Sequence, residues 1–202
     1  MPTLKLTYFD IKGGRGEPAR LALKMAGITF EDQRVNMQQW AQVRPQMPFQ
    51  ALPVLFVDGE AISQSNAINR YVGKLCGLYP QDALQALRCD EIMDAVEDIT
   101  AKFSTTFNMP DVEKKAAREK IVAGPLQMYL HALENKLKQQ GGEFFCANSL
   151  SMADLKILVL CRYLGSGILD YVPQDVVAST APLLHAHYQR MLALPVVAAH
   201  YA

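Results

Sequence analysis

The chain has 202 residues, 50% of them hydrophobic and 20% charged, which is globular usage and excludes an intrinsically disordered protein. Twenty Lys+Arg offset twenty Asp+Glu, so the net charge is zero and no electrostatic footprint points to nucleic acid or an anionic membrane surface. The apolar runs fall far short of the ~20 residues that span a bilayer, and the length allows one or two domains at ~150 residues each.

Leu4, Leu6 and Tyr8 recur every second residue, the pattern of a strand with one buried face. A Gly-rich turn, KGGRGEP, leads into ARLALKMAG, whose apolar positions have helical spacing and whose Gly27 is a stop signal. Ile28 to Val35 reads as a second strand, and MQQWAQVRPQ as a weaker helical piece cut by Pro45 and Pro48. Pro53 to Val57 reads as a buried strand, joined through the Asp58-Gly59 hairpin turn to Ala61-Ile62-Ser63. Ser65 is expected to cap a helix with Ile68, Tyr71, Val72 and Leu75 as its apolar stripe, ending at Gly77. Parallel pairing followed by an antiparallel hairpin predicts a thioredoxin-like domain over residues 1–78, a mixed four-stranded sheet with helices.

After Pro80 the strand signals stop. Asp82–Phe107 and Val112–Gln140 are long helical patterns, the second dense in Lys, Glu, Ala and Leu. Leu150-Ser151-Met152-Ala153-Asp154 reads as a capping box opening an apolar helix through Leu164. Pro182 and Pro195 open two further helices. The second half, residues 84–202, is therefore expected to be all-helical, joined to the first by a linker around Leu78–Ala83.

Thioredoxin-like folds commonly place a Cys-x-x-Cys where the first strand meets its helix, since the helix N-terminus stabilises a thiolate. Here that junction reads Tyr8-Phe9-Asp10-Ile11-Lys12-Gly13-Gly14, with no cysteine. Thiol exchange by the protein itself is excluded there, but a thiolate supplied by a ligand is not. Tyr8 is either an aromatic packed on the sheet or a hydroxyl donor to such a sulfur. Gln64 and Ser65 are either a plain helix start or an anion site built on free N–H groups. The Leu52-Pro53 bond is either trans at a strand edge or cis, presenting the Leu52 backbone to an extended peptide. Phe103 and Phe107 lie four apart and serve either core packing or a substrate cavity. The nine methionines read as core filler.

Cys76, Cys89, Cys146 and Cys161 lie far apart without Cys-x-x-Cys spacing, and MPTLKLTYFD lacks the organisation of a secretory leader. The expectation is a cytoplasmic protein with reduced thiols. His131 and His200 stand alone, while His185 and His187 fall on different helix faces, so no metal site is expected.

In combination, the strand tyrosine, Trp40, PFQALPVLFVDG, SQSNAINRY and the SMADL helix start resemble the cytosolic glutathione transferases over the whole chain. The likeness is to the sigma-like branch, which includes glutathione-dependent prostaglandin isomerases. The resemblance implies that Tyr8 is catalytic, its hydroxyl aimed at the sulfur of glutathione, the co-substrate, with no prosthetic group. It implies that Leu52, before a cis Pro53, pairs its main chain with the cysteinyl part of glutathione in the manner of an added strand. Gln64 and Ser65 would hold the γ-glutamyl carboxylate, and Trp40 and Arg44 the glycyl end. Gln50 stands one place earlier than the family's usual side-chain contact, where this chain has Ala51. Asp98 would reach the glutathione amine of a partner subunit in a homodimer, although its acidic stretch also reads as a solvated face. Ser151 and Asp154 would be structural. Arg15 is one residue later than the family's usual loop arginine, so either it or Lys12 supplies a cation near the sulfur. Phe9, Ile11 and Thr105, with Lys12 and Arg15, are the expected lining of a pocket for a hydrophobic electrophile. The implied activity is conjugation in detoxification; the alternatives are a prostaglandin-type isomerase and a non-catalytic binding or structural protein on the same scaffold.

Overall fold

A computed structural model describes residues 1–202, and the chain divides into two compact units, residues 1–79 with 195–202 and residues 80–194. In the first unit, strands β1 (Leu4–Phe9), β2 (Glu31–Val35), β3 (Val54–Val57) and β4 (Glu60–Ser63) form one sheet in the order β2-β1-β3-β4. β1 pairs in parallel with β2 and antiparallel with β3, and β3 pairs antiparallel with β4. This is the expected mixed sheet. The second strand begins at Glu31 rather than Ile28. The hairpin turn carries positive φ at both Asp58 (49°) and Gly59 (89°), the twist that favours this dipeptide between antiparallel strands.

The alternation of Leu4, Leu6 and Tyr8 describes one face of β1, yet Thr7 between them is also fully buried. A central strand is covered on both faces, and the Thr7 hydroxyl is satisfied by donating to Gln33 Oε1 at 2.7 Å. Helix α1 (Glu17–Met25) has Pro18 in its first turn, where a missing N–H costs nothing. Helices α2 (Met37–Val43) and α3 (Ser65–Leu75) complete the layer, with short 3-10 turns at Arg44–Gln46 and Pro48–Gln50 between α2 and β3. Two expectations for α3 need correcting. Its cap position is Gln64, not Ser65, and no side chain caps it. Its buried side is Asn66, Ile68, Asn69, Val72 and Gly73, with Tyr71 and Leu75 more than a third exposed.

The second unit is helical: α4 (Ala83–Ser104), α5 (Asp111–Ile121), α6 (Gln127–Gln139), α7 (Met152–Gly165), α8 (Val176–Thr180) and α9 (Pro182–Leu192). The final helix, α10 (Pro195–Tyr201), packs on α1 and belongs to the first unit, whereas the sequence reading kept it with the helical half. Helix α4 stops before Phe107, which is 46% exposed beneath the Arg118 guanidinium; Phe103 alone is in the core. The single helix expected over Val112–Gln140 is interrupted by one wide turn, Val122–Leu126, that contains Pro125. A proline within a regular helix lacks a donor and meets the carbonyl four residues back, and a π turn gives it room. Of the methionines, Met93, Met152 and Met191 fill the core, but Met37 and Met128 are exposed.

Helix α7 is apolar on every side, the mark of a central helix, and Met152 through Cys161 are all buried. Its one buried cation, Lys156, pairs with Glu97. The expected capping box is present. Asp154 accepts from the Ser151 N–H (2.8 Å) and hydroxyl (2.7 Å) on one oxygen. Its other oxygen accepts from the Phe145 N–H (3.1 Å) and His187 Nε2 (2.9 Å). No helix is long and apolar enough to cross a membrane.

Candidate active site

The sheet register gathers the expected ligand-binding segments. Thr7, Val54 and Ser63 lie side by side across β1, β3 and β4. One residue further towards the same end stand Tyr8, Pro53 and Gln64. At that end β2 also runs into α2, whose Asn36 capping box with Gln39 sets the helix that carries Trp40. Tyr8, Pro53 and Gln64 thus share one end of the sheet because strand pairing puts them there.

Tyr8 is buried, with 6% exposure, so the packed-aromatic reading is right about its ring. Its hydroxyl does more: the phenol oxygen accepts the Arg15 backbone N–H at 2.8 Å. That amide stands just before Gly16, the cap of α1, so the helix start points a donor at the phenol. The ring is enclosed by glycines. A Cβ on Gly14 would stand 2.4 Å from the Tyr8 hydroxyl oxygen, and one on Gly16 2.5 Å from Tyr8 Cγ. Gly14 also has φ of 72°, which a side chain resists. Arg15, one place later than the family's usual loop arginine, thus meets the hydroxyl through its main chain. Ile11 and Lys12 are exposed on the same loop.

Phe9 bridges the aromatic row, edge-to-face with Tyr8 (centroids 5.5 Å) and with Trp40 (5.6 Å). Arg44 is exposed at the end of α2, and Gln50 is exposed with φ of 47°. The Ser63 hydroxyl donates to the Pro48 carbonyl at 3.3 Å and tethers that segment to β4. The Leu52-Pro53 peptide is cis. Gln64 has φ of 76° and ψ of 109°, a backbone conformation costly for a residue with a side chain, and its side chain is exposed at the start of α3.

Two candidates lie in the helical unit. Asp98 is exposed on α4 and accepts from the Tyr129 hydroxyl at 3.1 Å; desolvation first, and then this bond, raise the Tyr129 pKa. Thr105, the cap of α4, donates to the Lys102 carbonyl and lines a cavity of about 380 Å³ with Lys102, Lys120 and Ile121.

No thiol of the chain stands at the tyrosine. All four cysteines are free; burial pushes Cys76 up to about 11 and Cys161 to about 12. Cys89 and Cys146, distant in sequence, hydrogen-bond to each other, which raises the first and lowers the second, and both are fully buried. A nucleophilic sulfur at Tyr8 has to come from a ligand.

Sequence reasoning missed the charged groups that hold the loop. Glu17 and Arg20, fully buried, pair within α1; Arg20 Nε bonds Asp32 at 2.9 and 3.1 Å, and Asp32 also bonds Arg34 Nε at 3.1 Å. His200 Nε2 lies 2.6 Å from Glu17. A sequence separation of this size leaves no local signal.

The family model for the glutathione S-transferase N-terminal domain matches residues 4–74, and that for the C-terminal domain matches residues 97–202. Glutathione S-transferase 1 of Ascaris suum is 39% identical over 161 residues, 78% of each chain. Hematopoietic prostaglandin D synthase of Gallus gallus is 34% identical over 199 residues, 98% of this chain and 95% of the relative. The solved structure of prostaglandin synthase D of Nilaparvata lugens superposes with a TM-score of 0.87 at 29% identity, covering 98% of this chain and 96% of that one.

Proposed function

This chain belongs to the glutathione S-transferase family, and on that premise we propose that Tyr8 activates the thiol of glutathione for attack on hydrophobic electrophiles. The observation that carries the assignment is the phenol oxygen held by the Arg15 N–H at 2.8 Å. With that oxygen already accepting from the protein, the hydroxyl proton is directed to another acceptor, and a thiolate is a strong one. A free thiol titrates near ~8.5, so a few per cent is ionised at pH 7. A hydrogen bond to a charged group contributes about 1.5–3 kcal/mol, or one to two pKa units, and raises the thiolate fraction about tenfold or more. The proton leaves to solvent, the sulfur lone pair forms the new bond to carbon, and the leaving group departs with its electron pair.

Around the sulfur, the main chain of Leu52 beside cis Pro53 pairs with the cysteinyl unit, and Gln64 and Ser65 receive the γ-glutamyl carboxylate. Trp40 and Arg44 take the glycyl end, and Gln50 is a further glutathione contact. Phe9, Ile11, Lys12 and Arg15 contribute to the electrophile site. Asp98 reaches the glutathione amine of a second copy in a homodimer, and the protein works in the cytoplasm on small hydrophobic molecules. The test is Tyr8→Phe assayed with a generic aromatic halide. We expect conjugation to fall about 10- to 100-fold; a rate within a factor of two of wild type contradicts the assignment.

A second reading is favoured by the relative whose similarity covers 98% of this chain, a prostaglandin D synthase. In an isomerase the thiolate attacks and is then expelled, so glutathione is recovered. Consumption of glutathione in step with product marks conjugation, and its full recovery marks isomerisation.

A further inference from the structure

The loop that closes over Tyr8 is gripped at both ends by a single chain of charged groups. At its near end, Arg34 of β2 donates to the Ile11 carbonyl at 3.3 Å and stands 3.6 Å from Asp10. At its far end, Glu17 pairs with Arg20 and contacts His200 of α10. Asp32 joins the two ends by bonding both arginines. Glu17 also fixes the loop through its backbone, since its N–H donates to the Gly14 carbonyl at 3.2 Å. Gly14 touches the Tyr8 hydroxyl, and the neighbouring Arg15 N–H bonds it.

The protonation state of His200 follows from its neighbours. Lys24 Nζ, which has donors only, lies 3.0 Å from Nδ1, so Nδ1 accepts; Nε2 then carries the hydrogen and donates to Glu17. The charged groups facing the ring are Glu17, Arg20 and Lys24, all from α1, and on its own helix it meets the ring of Tyr201. Burial outweighs Glu17 and holds the imidazole below its ordinary 6.5.

We propose that His200 is a positioning residue for the thiol-activating tyrosine: from the last helix of the chain it anchors Glu17, and through Glu17 it holds Gly14 and the Arg15 N–H against the Tyr8 hydroxyl. This rests on the reading of Tyr8 given above. Protonation would set a second cation beside Lys24 and withdraw the acceptor that Lys24 uses. The anchor therefore works above the ordinary histidine range and is lost as pH falls through and below it.

The experiment compares wild type, His200→Ala, His200→Gln and Tyr8→Phe. It reads the pKa of the bound glutathione thiol from its ultraviolet absorbance, kcat, KM for glutathione and the pH profile of kcat/KM. Glutamine keeps a donor for Glu17 and an acceptor for Lys24 but does not titrate. We expect His200→Ala to lower kcat about tenfold, to raise the thiol pKa by about one unit and to change KM less than twofold. His200→Gln restores both at pH 7. The acid limb of the wild-type profile steepens from one proton towards two, whereas the Gln variant keeps a slope of one. A folded His200→Ala protein with unchanged thiol pKa and kcat overturns the proposal. If that variant does not fold, a His200→Gln profile as steep as wild type overturns it. A bound thiol that titrates in wild type as it does in water overturns the role of Tyr8 as well, and the Tyr8→Phe control separates the two failures.

Discussion

Tyr8 sits in a cradle made by two residues that lack side chains. A methyl on Gly14 would lie 2.4 Å from its hydroxyl oxygen, at a φ of 72° that also strains any side chain, so the phenol has to move or the loop has to open. Gly14→Ala is expected to lower conjugation about tenfold or more and to leave glutathione binding closer to wild type, because the segments proposed to bind the peptide lie outside this loop. Steady-state kinetics with a split between kcat and KM check this; an equal loss in both contradicts it. Strand alternation alone left Tyr8 open between a packed aromatic and a hydroxyl donor, and only the resemblance implied the second role. The donor that orients it was not legible in the sequence, because the Arg15 contribution is a backbone N–H and any residue type there supplies one.

Among the secondary elements, α7 and α3 show how different signals report different things. The Ser151–Asp154 box announced α7 correctly, and its carboxylate collects four hydrogen bonds, two of them from Phe145 and His187. Asp154→Ala leaves those donors buried without an acceptor and is expected to cost about 3 kcal/mol or more. Denaturant unfolding checks it, and a loss below 1 kcal/mol contradicts it. In α3 the sequence marked the right place but the wrong cap. Ser65 looks like an N-cap residue, yet the chain enters the helix from Gln64 at positive φ, leaving the Ser65 side chain outside that duty. Local capping rules do not anticipate a strained entry, and strain of this kind clusters at binding sites. Likewise the pattern over Val112–Gln140 gave helix throughout, and Pro125 was absorbed by one wide turn instead of a break.

For the molecule as a whole, the informative fact is register. Thr7, Val54 and Ser63 align across three strands, and this brings segments far apart in sequence to one end of a sheet. A parallel pair followed by an antiparallel hairpin was readable from the alternation and the Asp58-Gly59 turn. The return of α10 to α1 was not, since it depends on a histidine and a glutamate at opposite ends of the chain. Assembly belongs to this scale too. If Asp98 serves a neighbouring site, the protein sediments as a dimer of its 22.4 kDa chain at micromolar concentration, and Asp98→Ala weakens glutathione binding about fivefold or more without changing that assembly. A stable monomer contradicts this part of the account. The central claim is tested most directly by titrating the thiol of glutathione bound to the wild-type protein and to Tyr8→Phe. The expected result is a wild-type pKa at least about one unit below the free value of ~8.5, returning towards it in the phenylalanine variant; a thiol that titrates at the same pH in both proteins and in water contradicts it.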